Sequence, residues 1–203
     1  MKSPITAICA AATLLGGCAS MTPTKETSVG YAIYDIKASG DVGSAKLAEA
    51  IRTALQRNTS RAQVSNGVPP SPLPDKAPRF QLVSPFKGSG LAALAAAQGQ
   101  SLQVPTCEGA TLTANARDSS MGSYGESTTF FACLMPYQGG YSLNIYTTFT
   151  KLSGSVSAAT LGATLVRPFV GDSGPFIQRT IGQIVEGVQQ TGATVSLVEA
   201  YPR

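Results

Sequence analysis

The chain predicts an α+β fold: a mainly antiparallel sheet with two long amphipathic helices packed on one face. Three observations carry this. Residues 43–57 and 173–192 repeat apolar side chains at helical spacing. Several other segments alternate apolar and polar residues between Gly- and Pro-rich turns, as strands do. Helical and strand segments follow no strict βαβα rhythm, which favours segregated α and β over a parallel, doubly wound sheet. A partly parallel α/β sandwich is the competing architecture.

Residues 31–38, Tyr-Ala-Ile-Tyr-Asp-Ile-Lys-Ala, alternate as a first strand. Asp35 and Lys37 then share a face, opposite Tyr34 and Ile36, and read as a solvated surface. Gly40-Asp41 breaks the pattern, and Asp41 or Ser44 can cap the helix at 43–57. Leu47, Ile51, Ala54 and Leu55 form its apolar stripe. Glu49, Arg52, Gln56 and Arg57 fall largely on the other side, and Arg52 and Arg57 lie towards the end where the helix dipole favours cations. Arg61–Val64 begins a short strand. The prolines of residues 66–79 forbid helix and central strand, leaving an extended segment that reads as a stiff surface loop or a recognition segment for an aromatic groove.

Phe80–Ser84 reads as a strand, and residues 88–98, rich in Ala and Leu, as a short helix. Three strands follow, Ala110–Ala116, Thr128–Met135 and Tyr141–Thr148. The last two flank a glycine turn, Tyr137-Gln-Gly-Gly140. With Gln138 and Gly139 at its centre, Phe131 faces Tyr146 across the ladder, an aromatic pair of roughly 0.2–1 kcal/mol. Residues 155–166 are expected to be helical until Pro168 and Gly171. Ser173 can cap the final helix, with Pro175 tolerated in its first turn. Ile177, Ile181, Ile184, Val185 and Val188 form its stripe, and Gly192 ends it. Ala193–Ala200 closes the chain as a strand with Val195 and Leu197 on one face. There is no internal repeat and no domain linker.

The first residues are laid out as a secretory signal. Lys2 gives a positive start, Ile5–Leu15 an apolar run too short to span a bilayer, and Gly16-Gly17 the small residues needed near a cleavage site. Leu15-Gly16-Gly17-Cys18 resembles the lipobox of bacterial outer-membrane lipoproteins. The resemblance covers only about the first twenty residues. It implies removal of residues 1–17, acylation of Cys18 with palmitate-type chains, and, since Ala19-Ser20 places no Asp at the second mature position, sorting to the outer membrane. Two or more acyl chains make a stable anchor, at about 0.8 kcal/mol per buried CH₂. Residues 18–29 then read as the lipidated Cys and a polar tether, and residues 30–203 as one domain. The expected location is the outer membrane, held by lipid at its periplasmic face.

The 203 residues include four Cys, no His and no Trp. Cys9 leaves with the signal and Cys18 carries lipid, so Cys107 and Cys133 remain as a pair in an oxidising compartment and are expected to form a disulfide. The absence of His removes Ser-His-Asp and Cys-His catalysis, His-based zinc sites and His-ligated haem. It also removes the common proton shuttle near neutral pH. The net charge is +4, with Lys and Arg scattered, so no nucleic-acid partner is indicated.

No residue is assigned a catalytic role, and no metal or cofactor site is indicated. The candidate binding residues are Arg117, Asp118, Tyr124 and Glu126, in the Gly- and Ser-rich connection between two strands. Such loops on a rigid hairpin often bind ligands, although Gly, Ser and Asp also populate any exposed turn. The Ser84-x-x-Lys87 spacing lacks the Ser-Asp-Asn and Lys-Thr-Gly tripeptides of the penicillin-binding enzymes that use it. The sequence therefore points to a non-catalytic envelope lipoprotein that binds a protein or a small ligand. The competing reading is an anchored hydrolase of cell-wall or glycan substrates using paired carboxylates.

Overall fold

A computed structural model of the chain describes residues 24–38, 42–86, 103–153 and 173–202. The signal region and Cys18 lie outside these residues, as do the helices expected at 88–98 and 155–166 and Lys87 of the Ser-x-x-Lys match.

The first strand, β1 (Thr24–Lys37), is followed by helix α1 (Ser44–Asn58) and strand β2 (Arg61–Asn66). Among the described residues, short strands β3 (Gln81–Val83) and β4 (Val104–Thr106) pair only with each other. Strands β5 (Leu112–Asp118), β6 (Glu126–Tyr137) and β7 (Gly140–Ser153) follow, then helix α2 (Ser173–Gln189) and strand β8 (Thr194–Tyr201). The six-stranded sheet has the order β2-β5-β6-β7-β1-β8, and every neighbouring pair is antiparallel.

The expected balance of two long helices with a sheet is corrected by this structure. Of the described residues 47% are strand and 24% helix, and the two helices have only 15 and 17 residues. The reason lies in the strands. β1 and β7 each run 14 residues and pair from Thr24↔Ser153 to Ile36↔Tyr141. Their outer halves are Thr-Lys-Glu-Thr-Ser and Thr-Thr-Phe-Thr-Lys, with hydroxyls where an alternating strand would show apolar residues. Residues 24–29, read as tether, are therefore strand, and at most residues 19–23 separate Cys18 from the sheet.

One side of the sheet holds the main core. Ile36, Leu112, Ala114, Phe130, Leu134, Leu143 and Ile145 meet Leu47, Ile51 and Leu55 of α1 and Ile184 and Val188 of α2, and all are fully buried. Each such Leu, Ile or Phe contributes about 1.5–3 kcal/mol on leaving water. The apolar stripes read from the sequence are the stripes that pack. Thr59 closes α1, its backbone N–H donating to Leu55 O at 3.0 Å. Gly192, at φ 97°, closes α2.

The β6–β7 hairpin turns at Gln138-Gly139, and Phe131 is opposite Tyr146, as expected. Gly140 is required there. Its φ is 141°, and a Cβ would stand 2.3 Å from the Ile36 carbonyl oxygen. At β8 Val195 and Leu197 lie on one face, opposite Ile36 and Tyr34, and a bulge follows them. Ile33 pairs with Glu199 while Tyr34 pairs with Leu197, so Val198 is the extra residue. Val195 packs on the core, whereas Leu197 is 59% exposed on the sheet edge.

Candidate functional site

Side chains alternate across a strand, so the register sorts every residue of the sheet onto one of two faces. The face away from the helices divides into a covered half and an open half.

The covered half is closed by the proline-rich segment. Phe80 N–H donates to Asn144 Oδ1 at 3.1 Å, and Gln138 N–H donates to Pro74 O at 2.9 Å. Gln138 Nε2 also donates to Asp75, and Arg79 pairs with Glu199. The Phe80 ring lies between Tyr31 and Tyr146, 5.5 Å from each, and Tyr31 stacks on Tyr201 at 5.9 Å. Residues 66–80 are thus a strap on the sheet. This extended segment has its own aromatic and polar anchors, and most of its residues remain exposed, Val68 among them. Cys107 and Cys133 stand at disulfide distance beside it, with Cα atoms 6.4 Å apart, and the buried Cys133 packs with Ala110 and Met135.

At the hairpin end, Asp35 and Lys37 are not merely solvated. Tyr137 hydroxyl donates to Asp35 Oδ1 at 2.6 Å, and Lys37 Nζ donates to the Tyr137 oxygen and to Gly139 O, each at 2.6 Å. Hydrogen bonding to Tyr137 and then to Asp35 raises the Lys37 pKa above its ordinary 10.5. The hydrogen bond to Glu199, with burial, raises Tyr31, and burial raises Tyr34 and Tyr146. The phenols stay neutral and the ammonium charged near neutral pH, and the hydrogen bonds of Tyr31, Lys37 and Tyr137 tie the strands together.

The four candidate binding residues are not gathered. Arg117 is exposed on the open half of the outer face, directly across from Arg61. Asp118 points to the other side, where its carboxylate accepts from Ser60 Oγ at 2.9 Å and from Ser120 Oγ at 2.5 Å. It braces the loop against the α1–β2 turn. Tyr124 lies in a single 3-10 turn, Gly122–Tyr124. Glu126 is 4% exposed on the helix side of the sheet. The loop is a built turn, and of Arg117, Asp118 and Glu126 only Arg117 is on the open face.

A surface that the sequence did not single out lies between the helices. α1 and α2 leave an open crevice of about 650 Å³. Ala50, Ala54 and Gly187 form its floor, and Lys46, Glu49, Thr53, Arg57, Gln183 and Glu186 are among the groups around it. At Gly187 the two helices lie close, and a Cβ there would make an ordinary contact with Ala50 O at 3.6 Å. The signal was available in principle: small residues at one helical face of 43–57 and Gly187 beside the apolar stripe of 173–192. Nothing in the sequence said that these two faces meet.

Among the described residues no group of three His, Cys, Asp or Glu side chains could hold a metal ion, and no helix is long and apolar enough to cross a membrane. No protein-family model matches the chain, and no curated protein matches it.

Proposed function

We propose that this protein is a non-catalytic, lipid-anchored component of the bacterial envelope that acts by binding, held at the outer membrane through Cys18. The signal layout and the Leu15-Gly16-Gly17-Cys18 sequence support the anchor. The crevice between α1 and α2 carries the binding reading. It is open and rimmed by amides, hydroxyls and charges of both signs over small residues. That suits an extended polar ligand such as a segment of a partner protein, whose backbone can approach Ala50, Ala54 and Gly187 closely. It suits a buried apolar molecule poorly, because small-ligand sites are enclosed and mostly apolar.

The test is recovery of partners from native membranes by the intact lipoprotein, cross-linked before solubilisation. Thr53→Trp and Gln183→Trp each place a large ring in the crevice. Both variants should lose the recovered partner while retaining the melting temperature of the parent. The reading fails if neither matters and a single Asp or Glu substitution abolishes an activity without unfolding the domain.

A further inference from the structure

The open half of the outer face has a one-sided charge pattern. Its side chains are Lys25, Thr27 and Val29 from β1, Thr148, Thr150 and Leu152 from β7, Ser127 and Thr129 from β6, and Arg117 and Arg61 from β5 and β2. It holds three basic residues and no carboxylate. The acidic residues of the same strand segments, Glu26, Asp118 and Glu126, all have the opposite parity and lie on the helix side. The two outer-face carboxylates, Asp35 and Glu199, lie in the other half and are paired with Lys37 and Arg79. Arg61 and Arg117 are directly opposite each other, both exposed, and neither has an ion pair among the described residues. Like charges across a ladder are unfavourable, so this pair is costly unless an anion neutralises it. Val29 and Leu152 are large apolar side chains, 46% and 41% exposed on the same face.

We propose that this face rests on the membrane leaflet that carries the anchor, with Lys25, Arg61 and Arg117 against lipid phosphates and Val29 and Leu152 at the headgroup boundary. The inference rests on acylation of Cys18. Only six residue steps separate Cys18 from Thr24, a reach of about 20 Å at about 3.3 Å each. The end of β1 therefore cannot leave the bilayer surface, and the face that flanks it is the one bearing unpaired positive charge. Arginine pairs match phosphate geometry, and each basic side chain near an anionic surface shifts the bound fraction by about fivefold. In this posture the α1–α2 crevice, across the sheet from the lipid, opens away from the membrane towards soluble partners.

The test uses the mature lipoprotein in vesicles of phosphatidylcholine alone, and in vesicles with about one third phosphatidylglycerol. A membrane-impermeant amine-acetylating reagent reads Lys25 against Lys46, which lies on the far side of the sheet. In anionic vesicles Lys25 should react about fivefold more slowly relative to Lys46 than in neutral ones, and high salt should erase the difference. Arg61→Glu with Arg117→Glu should erase it too, and Arg61→Gln with Arg117→Gln should halve it or more. Equal ratios in the two vesicle types would overturn the proposal. Flotation separates this from failure of the anchor. A protein that does not float with neutral vesicles is not acylated. Flotation with anionic vesicles, lost on charge reversal, then still supports the face, and absence of such flotation overturns it.

Discussion

Lys37 meets Tyr137 twice: its Nζ donates to the phenol oxygen at 2.6 Å and lies 5.0 Å from the ring centroid. The same hydroxyl donates to Asp35, so one phenol oxygen joins the first strand to the β6–β7 hairpin. Tyr137→Phe keeps the ring and removes that oxygen. Asp35 and Lys37 remain 3.2 Å apart and can still pair, so the exposed bond from Lys37 is replaced and the expected loss is that of the part-buried bond to Asp35, about 1 kcal/mol. A urea midpoint lowered by that amount at unchanged slope is the expected result. An unchanged midpoint would show that the ring alone orders the hairpin end.

The raised pKa values predict alkaline sensitivity. Tyr31, Tyr34 and Tyr146 titrate above 10.0 in the folded chain, and Lys37 above 10.5. Between its ordinary and its raised value, each group is deprotonated in the unfolded chain but still protonated in the folded one. The unfolded state then binds fewer protons, and stability falls as pH rises. The contribution is complete below pH 10 and is lost above it. Thermal midpoints should be flat on this account from pH 8 to 9.5 and fall above 10. Tyr146→Phe, which has no proton to lose, should fall less steeply than the parent.

Cys107 and Cys133 are 26 residues apart in sequence. Closing a loop of that length removes denatured-state entropy equivalent to about 3.5 kcal/mol at 25 °C. Reduction should therefore lower stability by up to that amount and release the β3–β4 ribbon first, since the bond ties it to β6. Non-reducing peptide mapping should recover the linked pair. Two free thiols in protein isolated from the envelope would contradict this.

The parts of the fold that were legible share one property: a local pattern with a period. α1 shows in Leu47, Ile51 and Leu55, and α2 in Ile177, Ile181, Ile184 and Val188. The β6–β7 register follows once Gln138-Gly139 is taken as the turn. The balance of helix and sheet was not legible, because Thr24–Ser28 and Thr147–Lys151 pair through backbone while showing hydroxyl and charged side chains. The strap was equally hidden. Asn144 accepting from Phe80, and Asp75 from Gln138, are single contacts over 60 or more residues, and no periodicity encodes them. Among the candidate site residues, parity decides what composition could not. Arg117 and Asp118 are adjacent in sequence, and for that reason lie on opposite faces of β5.

Acylation of Cys18 is the prediction on which location depends. Mass spectrometry of the mature N-terminus should find Cys18 first in the chain and carrying acyl groups. Cys18→Ser should leave the leader uncleaved or the product unanchored. A mature protein beginning elsewhere, or a Cys18→Ser product still anchored after cleavage, would remove the basis for an outer-membrane location.

Gly182 and Gly187 of α2 separate stability from binding. Gly182 is exposed, and a Cβ there would meet nothing within 4 Å. Gly187 lies on the crevice floor, where a Cβ would meet Ala50 O at 3.6 Å and Ala50 Cβ at 4.0 Å, both ordinary contacts. A glycine in a helix interior costs about 0.8–1 kcal/mol relative to alanine. Gly182→Ala and Gly187→Ala should therefore each stabilise the domain by an amount of that order, read as a raised denaturation midpoint. Larger side chains should then divide the two sites. Gly182→Leu should bind partners as the parent does. Gly187→Leu should fold and yet lose partner recovery, since its side chain occupies the floor between Ala50 and Ala54. Equal recovery by both leucine variants would mean that the partner does not enter between the helices.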